Sequence, residues 1–437
     1  MSITHFVAGI DFGTTNSAIA ISDGGVPRMV EIEYGKDTIP TAMFFSDKSG
    51  DIYYGRDAQN QYTNGDGAGR FMRSMKRLLG THIMRGGTVI NGKITDFETI
   101  VEYFIRHLKL KMDMVAGCPI EHVVMGRPIH FRDNDPFGDA QAQSELEKIA
   151  RSVGFKHVAF QYEPIAAAFA HEQNLTSEKL AFVADIGGGT SDFTVIRLSP
   201  TRKLKLDRSD DVLANTGVRI GGNDFDKNLS LKAFMPQFGL GTEYRSGDKN
   251  ITIPLSPYIS LSTWSSVNEV YNYKTLNMVR GYTVWGHEPE KTKRLYEIIE
   301  NRLGHKNLDY VENAKMALSS QQDYEIVLDF LADAPLVKTN RSIFEDSIKS
   351  DMSKIEMSVQ ECIAQAGIKN TDIELVILTG GSTEIPYISR VMQSYFPNAE
   401  LSSANKMASV GLGLAYDAMR RFAEPHIENN IIPVNSL

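Results

Sequence analysis

An α/β fold of two lobes is the architecture this sequence predicts, and three observations carry it. The chain has 437 residues, more than a single hydrophobic core usually organises. Strand-like runs alternate with amphipathic helical ones along most of its length. Two distant stretches also share one layout: "VAGIDFGTTNSAIAI" at 7–21 and "FVADIGGGTSDFTVI" at 182–196 each run from an apolar strand through Asp–apolar–Gly into a second apolar strand. A serine follows the aspartate by six residues in both, Asp11 to Ser17 and Asp185 to Ser191. A repeated hairpin of this kind implies duplication.

Composition narrows the class. Apolar residues at 42% and charged residues at 23% are ordinary for a soluble globular protein. Net charge is −8, from 54 acidic and 46 basic residues without a long run of one sign, which argues against non-specific binding to nucleic acid or membrane. The opening "MSITHFVAGIDF" has no basic n-region and enters a strand at once, so no secretory leader is expected. No uninterrupted apolar run reaches about 18 residues, so no membrane span is expected either. Two cysteines, Cys118 and Cys362, give neither a disulfide framework nor a zinc site. Cys362 shares an apolar helical face with Ile348, Met352, Ile355 and Val359, where a small buried thiol fits. The expectation is a reducing, cytoplasmic compartment.

Between the hairpins, "TDFETIVEYFIRHLKLKM" opens with a capping box from Thr95 to Glu98 and lines up Ile100, Val101, Phe104, Ile105 and Leu108 on one helical face. "EHVVMGRPIHF" reads as a strand entering a loop. "AQAQSELEKIARSVGF" is a helix stopped by Gly154, and "EPIAAAFAHEQ" a short, small-residue helix suited to close packing. After the second hairpin, "ELVILTGGSTEIPYISRVMQSYF" runs strand, Gly-Gly turn, helix. "GLGLAYDAMRRF" is a final helix, and the stretch "EPHIENNIIPVNSL" after it is expected to fray.

The glycines suggest what the hairpins hold. Gly13 in one turn and Gly187, Gly188 and Gly189 in the other are expected to take positive φ and let consecutive N–H groups converge on an anion. Thr14, Thr15 and Thr190 add hydroxyl donors. Asp11 and Asp185 would repel phosphate unless a divalent cation or its water shell stood between, and Mg²⁺ suits that arrangement best. A P-loop would need a Gly-Lys-Ser/Thr run and a dinucleotide fold a G-x-G-x-x-G at a helix start; neither occurs. Two facing phosphate hairpins imply lobes that close on a nucleotide.

Seven motifs follow one another along the chain: "IDFGTTNS", "MKRLLG", "YEPIAAA", "DIGGGTSDF", "IGGNDFD", "ENAKMALSS" and "LTGGSTEIP". In that order they resemble the ATPase domain of DnaK-type chaperones of the heat shock protein 70 family, from residue 8 or so to residue 420 or so. "GRPIHF", "FQYEP" and "RIGGNDFD" look most like the short, bacterial YegD-like branch. The resemblance implies an actin-like ATPase fold of duplicated ribonuclease-H-like lobes. Lobe I would cover 1–178, completed by 403–437. Lobe II would cover 179–402, with an enlarged α+β subdomain near 223–310. The implied cofactors are ATP or ADP with Mg²⁺, and K⁺ as a further ion.

Site residues follow from the same resemblance. Gly13, Thr14, Thr15 and Asn16 match the first phosphate loop, and Gly187, Gly188, Gly189 and Thr190 the second, with Gly221 and Gly222 beside it. Asp11 and Asp185 would hold Mg²⁺ through water. Lys76 would orient the attacking water and offset γ-phosphate charge. Glu163 would stand near the metal and that water, and Asp192 would polarise the water or bind a monovalent cation. Glu312, Lys315 and Ser319 fall at i, i+3 and i+7 on one helix face. In the family that face meets ribose and adenine, while Gly380, Gly381 and Ser382 let the opposite backbone approach. Met316 and Glu384 stand where the family typically carries arginines that sandwich adenine. Pro128 matches the family's switch proline. "HVAFQYEP", however, replaces a segment whose arginine communicates with the interdomain linker and J-domain partners, so dependence on such partners is not implied.

Residues 236–310 fit the family poorly and hold both tryptophans, Trp264 and Trp285. A helix near their end has Pro289 at its start, Leu295, Ile298, Ile299 and Leu303 on one face, and Gly304 as its stop. Packing of an enlarged subdomain and a partner surface both account for the segment. After Phe422 neither an apolar linker nor a β-rich peptide-binding domain follows, so the expectation is an ATPase acting as a nucleotide-gated switch on a partner protein. A non-hydrolysing nucleotide-dependent scaffold and a small-molecule kinase of the same fold remain alternatives.

Overall fold

The computed structural model describes residues 6–422, apart from 65–68, 133–134, 206 and 403–407. Its frame is two mixed sheets with one topology. In the first, β1 (Val7–Phe12) and β2 (Asn16–Ser22) form a hairpin continued by the short β3 (Arg28–Met29). On the other side of β1, β4 (His122–Arg127) and then β5 (His157–Tyr162) pair in parallel. In the second, β6 (Lys179–Ile186) and β7 (Ser191–Leu198) form the hairpin and β8 (Val212–Val218) continues it. Here β9 (Leu375–Thr379) and β10 (Glu400–Ser402) supply the parallel side. The register repeats as well as the order. Phe12 lies opposite Ser17 at the end of one hairpin and Ile186 opposite Ser191 at the end of the other, which leaves Asp11 and Asp185 in equivalent places.

The helices cover these sheets through apolar faces. Helix α1 (Phe97–Ala116) buries Ile100, Val101, Phe104, Ile105 and Leu108, as its periodicity predicts. Its cap is Asp96, whose carboxylate accepts the Thr99 N–H at 2.7 Å, rather than Thr95. Asp96 directly precedes the first helical residue and so reaches the N–H of the third, whereas Thr95 lies one position too far back. Helix α2 (Pro136–Ser152) starts on the Asp135 cap and gives way at Gly154, which adopts φ +113°. Helix α3 (Glu163–Glu172) is the small-residue helix, and α4 (Gly222–Leu229) opens behind the second glycine turn.

Between α4 and α5 (Gly304–Ser320) stand a hairpin, Glu243–Ser246 with Lys249–Thr252, and helices Ser256–Leu261, Tyr273–Trp285 and Pro289–Glu300. Leu295, Ile298 and Ile299 are buried as expected, whereas Gly304 opens the next helix instead of ending this one. The two tryptophans part ways: Trp264 is buried and Trp285 is 60% exposed. Helix α6 (Arg341–Ala366) carries Cys362 into the core, where burial pushes its thiol up to about 11. Helix α7 (Ser409–Phe422) returns to the first sheet. It touches α3 backbone to backbone: a Cβ on Gly413 would lie 1.6 Å from the Ala166 carbonyl oxygen. The stretch expected to fray lies outside the described residues.

Candidate functional site

The two glycine turns face each other across a cavity of about 510 Å³. From the first half of the chain it is lined by Asp11, Gly13, Thr14, Thr15, Asn16, Lys76 and Glu163. Asp185, Gly187, Gly188, Gly189, Thr190 and Gly222 line it from the second turn and its neighbour. Glu312, Lys315, Met316 and Ser319 come from α5, and Gly380, Gly381, Ser382 and Glu384 from the turn after β9. Of the residues singled out by sequence, Asp192 and Gly221 do not reach the wall. Gly221 packs behind the second turn, where a Cβ would meet the Gly189 nitrogen at 2.6 Å.

Why glycine is needed in the turns differs from the expectation. Neither Gly13 nor residues 187–189 adopt positive φ. The reason is clearance. A Cβ on Gly13 would sit 2.1 Å from the Asn16 carbonyl oxygen, and one on Gly188 only 1.8 Å from Thr15 Oγ1. The second turn thus presses on the first, which no side chain would permit. Gly380 does take φ +81°, and a Cβ there would strike the Ile186 carbonyl. Ser382 Oγ then donates to the Gly187 carbonyl at 2.8 Å, tying the third turn to the second.

Lys76 sits on the short 3₁₀ turn Met75–Leu78, entered through Ser74 in the left-handed region at φ 60°. Its ammonium lies 2.5 Å from Glu163 Oε1, with both side chains largely shielded. Glu163 is the first residue of α3, where the N-terminal end of a helix favours negative charge. Burial alone would lower the Lys76 pKa, but Glu163 and Asp11 outweigh it and hold the ammonium charged. The aspartates behave oppositely. Burial, then the negative charge of Glu163, raises Asp11 to about 7 and Asp185 well above the carboxylate range. Among the described residues no group of three or more His, Cys, Asp or Glu could hold a metal ion. A cation between Asp11 and Asp185 would therefore take its remaining ligands from phosphate and water, and two carboxylates that resist ionising alone suit that role.

Asp192 lies just off the cavity wall, past the second turn. It is 1% exposed, its Oδ1 accepts the Ile129 N–H at 2.9 Å, and its Oδ2 is buried without a hydrogen-bond partner. It braces the backbone beside Pro128 while standing opposite Asp185 in the hairpin, beside Thr190 and within reach of the Lys76 and Glu163 charges. Burial, then Glu163, raises it to about 7.

At the nucleoside end the charges are already matched. Arg73 grips both Glu312 oxygens, and Lys315 Nζ lies 2.8 Å from Asp226 Oδ2. Burial would raise Glu312, but Arg73 prevails and holds it down to about 2. Met316 is 55% exposed, and Glu384, also on the wall, is exposed too. Three residues here were missed by sequence reasoning. Asn223, on the wall, accepts from Thr15 Oγ1 at 3.5 Å and donates to Ser74 Oγ at 3.3 Å. Arg77 bonds Asp224 at 3.0 Å and the Gly189 carbonyl at 3.4 Å. Arg73 is the third. Only Asn223 had a local signal, its place directly after Gly221 and Gly222.

Comparison with known proteins agrees with this geometry. The family model described as "Hsp70 protein" matches residues 7–244 and 287–421. "Chaperone protein DnaK" of Mycoplasmopsis agalactiae is 29% identical over 422 residues, covering 94% of this chain and 58% of that protein. "Chaperone protein DnaK" of Thermotoga neapolitana is 25% identical over 425 residues, covering 95% and 59%. The chain thus spans about three fifths of the length of the curated relatives it matches. With the family model covering most of its length, the chain belongs to the Hsp70 family and has that family's actin-like ATPase fold.

Proposed function

We propose that this chain binds ATP and ADP with Mg²⁺, hydrolyses ATP slowly and works as a nucleotide-gated switch on a partner protein. One observation carries the reading. Two equivalent hairpin turns touch over a single cavity, with the Lys76–Glu163 pair among their aspartates. Phosphoryl transfer to water asks mainly for positioning and charge neutralisation. Glycine clearance lets both turns close on a phosphate chain. Lys76, fixed by Glu163, faces the developing charge with its ammonium, and Glu163 offers an acceptor that orients a water O–H. Mg²⁺, held through water by Asp11 and Asp185, would neutralise phosphate charge. Asp192, buried beside Thr190 and opposite Asp185, would polarise the attacking water or bind K⁺.

The partner surface we assign to the Tyr273–Trp285 helix, where Tyr273, Val284 and Trp285 are exposed. Among the described residues no helix is long and apolar enough to cross a membrane. A reducing, cytoplasmic setting agrees with the unpaired Cys118 and Cys362. The motifs shared with the YegD-like branch agree with a chaperone-lineage switch.

A non-hydrolysing scaffold is the second reading, favoured by the exposed Met316 where an arginine clamp is expected. A second cavity, bounded by Lys232, Arg341 and Arg390, shares no residue with the cleft, and nothing observed favours the kinase. Calorimetry with ADP and with ATP, each with Mg²⁺, followed by phosphate release at saturating ATP, tests the reading. One site with measurable release supports it. Binding without release leaves the scaffold, and no binding of either nucleotide removes both.

A further inference from the structure

Arg73 and Trp264 line no part of the cavity, yet they meet directly behind a residue that does. Arg73 ends the strand Gly69–Arg73, which pairs with Ala42–Ser46 in the first half of the chain. Its guanidinium reaches across to α5 and grips Glu312 with both ends, Nη1 to Oε2 at 2.5 Å and Nη2 to Oε1 at 2.8 Å. Only 3% of the Arg73 side chain is exposed. The guanidinium carbon lies 4.6 Å from the centroid of the Trp264 ring. Trp264 itself falls in 245–286, the stretch between the two matched blocks of the family model. Beside this contact Tyr62, stacked on Phe71, bonds His305 at 2.8 Å across the same boundary.

The chemistry of the contact is directional. A guanidinium fork fixes a carboxylate in one plane, which a single ammonium cannot do. Among the described residues neither Arg73 Nε nor Trp264 Nε1 has a hydrogen-bond partner, so the ring face is what steadies the guanidinium from the side. Each Glu312 oxygen keeps a lone pair free for a group in the cavity. Parting the two halves here would strand two buried charges, which is strongly unfavourable.

We infer that Arg73 is a positioning residue for the nucleoside end of the cleft, and that the unmatched segment supports it through Trp264. Together they hold Glu312 aimed at the nucleotide and make nucleotide release depend on breaking an ion pair between the two halves. This rests on the nucleotide-binding reading above.

The test uses the full chain and the variants Arg73→Met, Arg73→Lys and Trp264→Leu, with Trp285→Ala as a control. ADP affinity is read by calorimetry and release by stopped flow with a fluorescent ADP analogue. Arg73→Met should weaken ADP and speed its release by about tenfold. The rate at saturating ATP should change less than about twofold, so KM moves and kcat does not. Arg73→Lys, which keeps the charge but loses the fork, should fall between. Trp264→Leu should move release in the same direction by about threefold, and Trp285→Ala should not move it. The penalty for replacing ADP with its 2′,3′-dideoxy analogue should shrink in Arg73→Met, because Glu312 is no longer held. A wild type that binds no nucleotide defeats the functional reading itself. A wild type that binds, with Arg73→Met altered only in melting temperature, overturns this inference. Should Arg73→Met fail to fold, Arg73→Lys decides on the same readouts.

Discussion

At the phosphate end of the cleft Lys76, Glu163 and Asp185 are buried and press on one another's charges, whereas at the nucleoside end Met316 is 55% exposed and Glu384 is exposed as well. The first arrangement leaves no slack. Every charge there is tuned by the next, so one substitution disturbs all of them. The second keeps a buried pair of its own, Arg73 with Glu312, but Met316 and Glu384 are side chains that water can still solvate, and a change at those two costs little. The motif resemblance implies that the end that would handle phosphate keeps the family's residues and that the end that would recognise the base departs from them at Met316 and Glu384.

The contrast is broken most directly by Lys76→Ala. Phosphate release from ATP should fall by about a hundredfold or more, since one transition-state contact of this kind contributes roughly 3 kcal/mol. ADP affinity measured beside it should hardly change. Equal turnover in both proteins would return the cleft to a scaffold. Next comes Gly188→Ala, whose Cβ must displace Thr15 Oγ1 from 1.8 Å. Overpacking of about 2 kcal/mol should weaken ATP binding roughly thirtyfold. ADP should suffer less. In wild type, hydrogen exchange over 13–15 and 187–190 should slow more with ATP than with ADP, a difference the variant should lose.

At the open end the change runs the other way. Arginines stacked on a base contribute roughly 0.5–2 kcal/mol each. Met316→Arg with Glu384→Arg should therefore tighten ADP by about tenfold and sharpen the preference for ATP over GTP. Calorimetry with both nucleotides would show it. Unchanged affinity would mean that these positions do not flank the base.

The smallest effect separates the ends by pH. Glu312 is held at about 2, below its unfolded value of 4.5, so its pair with Arg73 stabilises the fold above pH 4.5. That contribution fades as pH falls toward 2. Glu312→Gln should flatten the loss of melting temperature below pH 4.5 by about 3 °C. Asp226 and Asp309, which burial raises to about 6 and about 7 with help from the Glu312 charge, add a slope of the opposite sign at higher pH, and the variant should reduce it. An acid limb that stays as steep would show that the pair contributes nothing to stability.

What the sequence made legible was local. The hairpins could be read because strand, turn and strand lie within fifteen residues, and α1 because its apolar spacing is regular. Glycine in the turns was legible too, but its purpose was not. Clearance from Thr15 is a contact between residues 173 positions apart, and φ alone was accessible to sequence reasoning. Arg73 was out of reach for the same reason, with Glu312 239 residues away. Asp192 looked like a cavity residue because it follows the second turn. It does share a face with Asp185, its partner across the hairpin, but its carboxylate is taken up by the Ile129 N–H, 63 residues away in sequence.

The close seam between α7 and the first sheet also sets an order of events in time. A Cβ on Gly9 of β1 would lie 2.5 Å from the nitrogen of Ala415, and Val7, Val124, Val410 and Leu414 share one apolar cluster. This strand is thus covered by a helix made some four hundred residues later. At about 5–20 residues per second, ribosomal synthesis leaves that apolar face waiting for tens of seconds. Helix α3 can dock earlier but cannot replace its partner. For all that time the nascent chain displays the kind of sticky surface that chaperones shield, so a member of a chaperone family begins life needing shelter of its own.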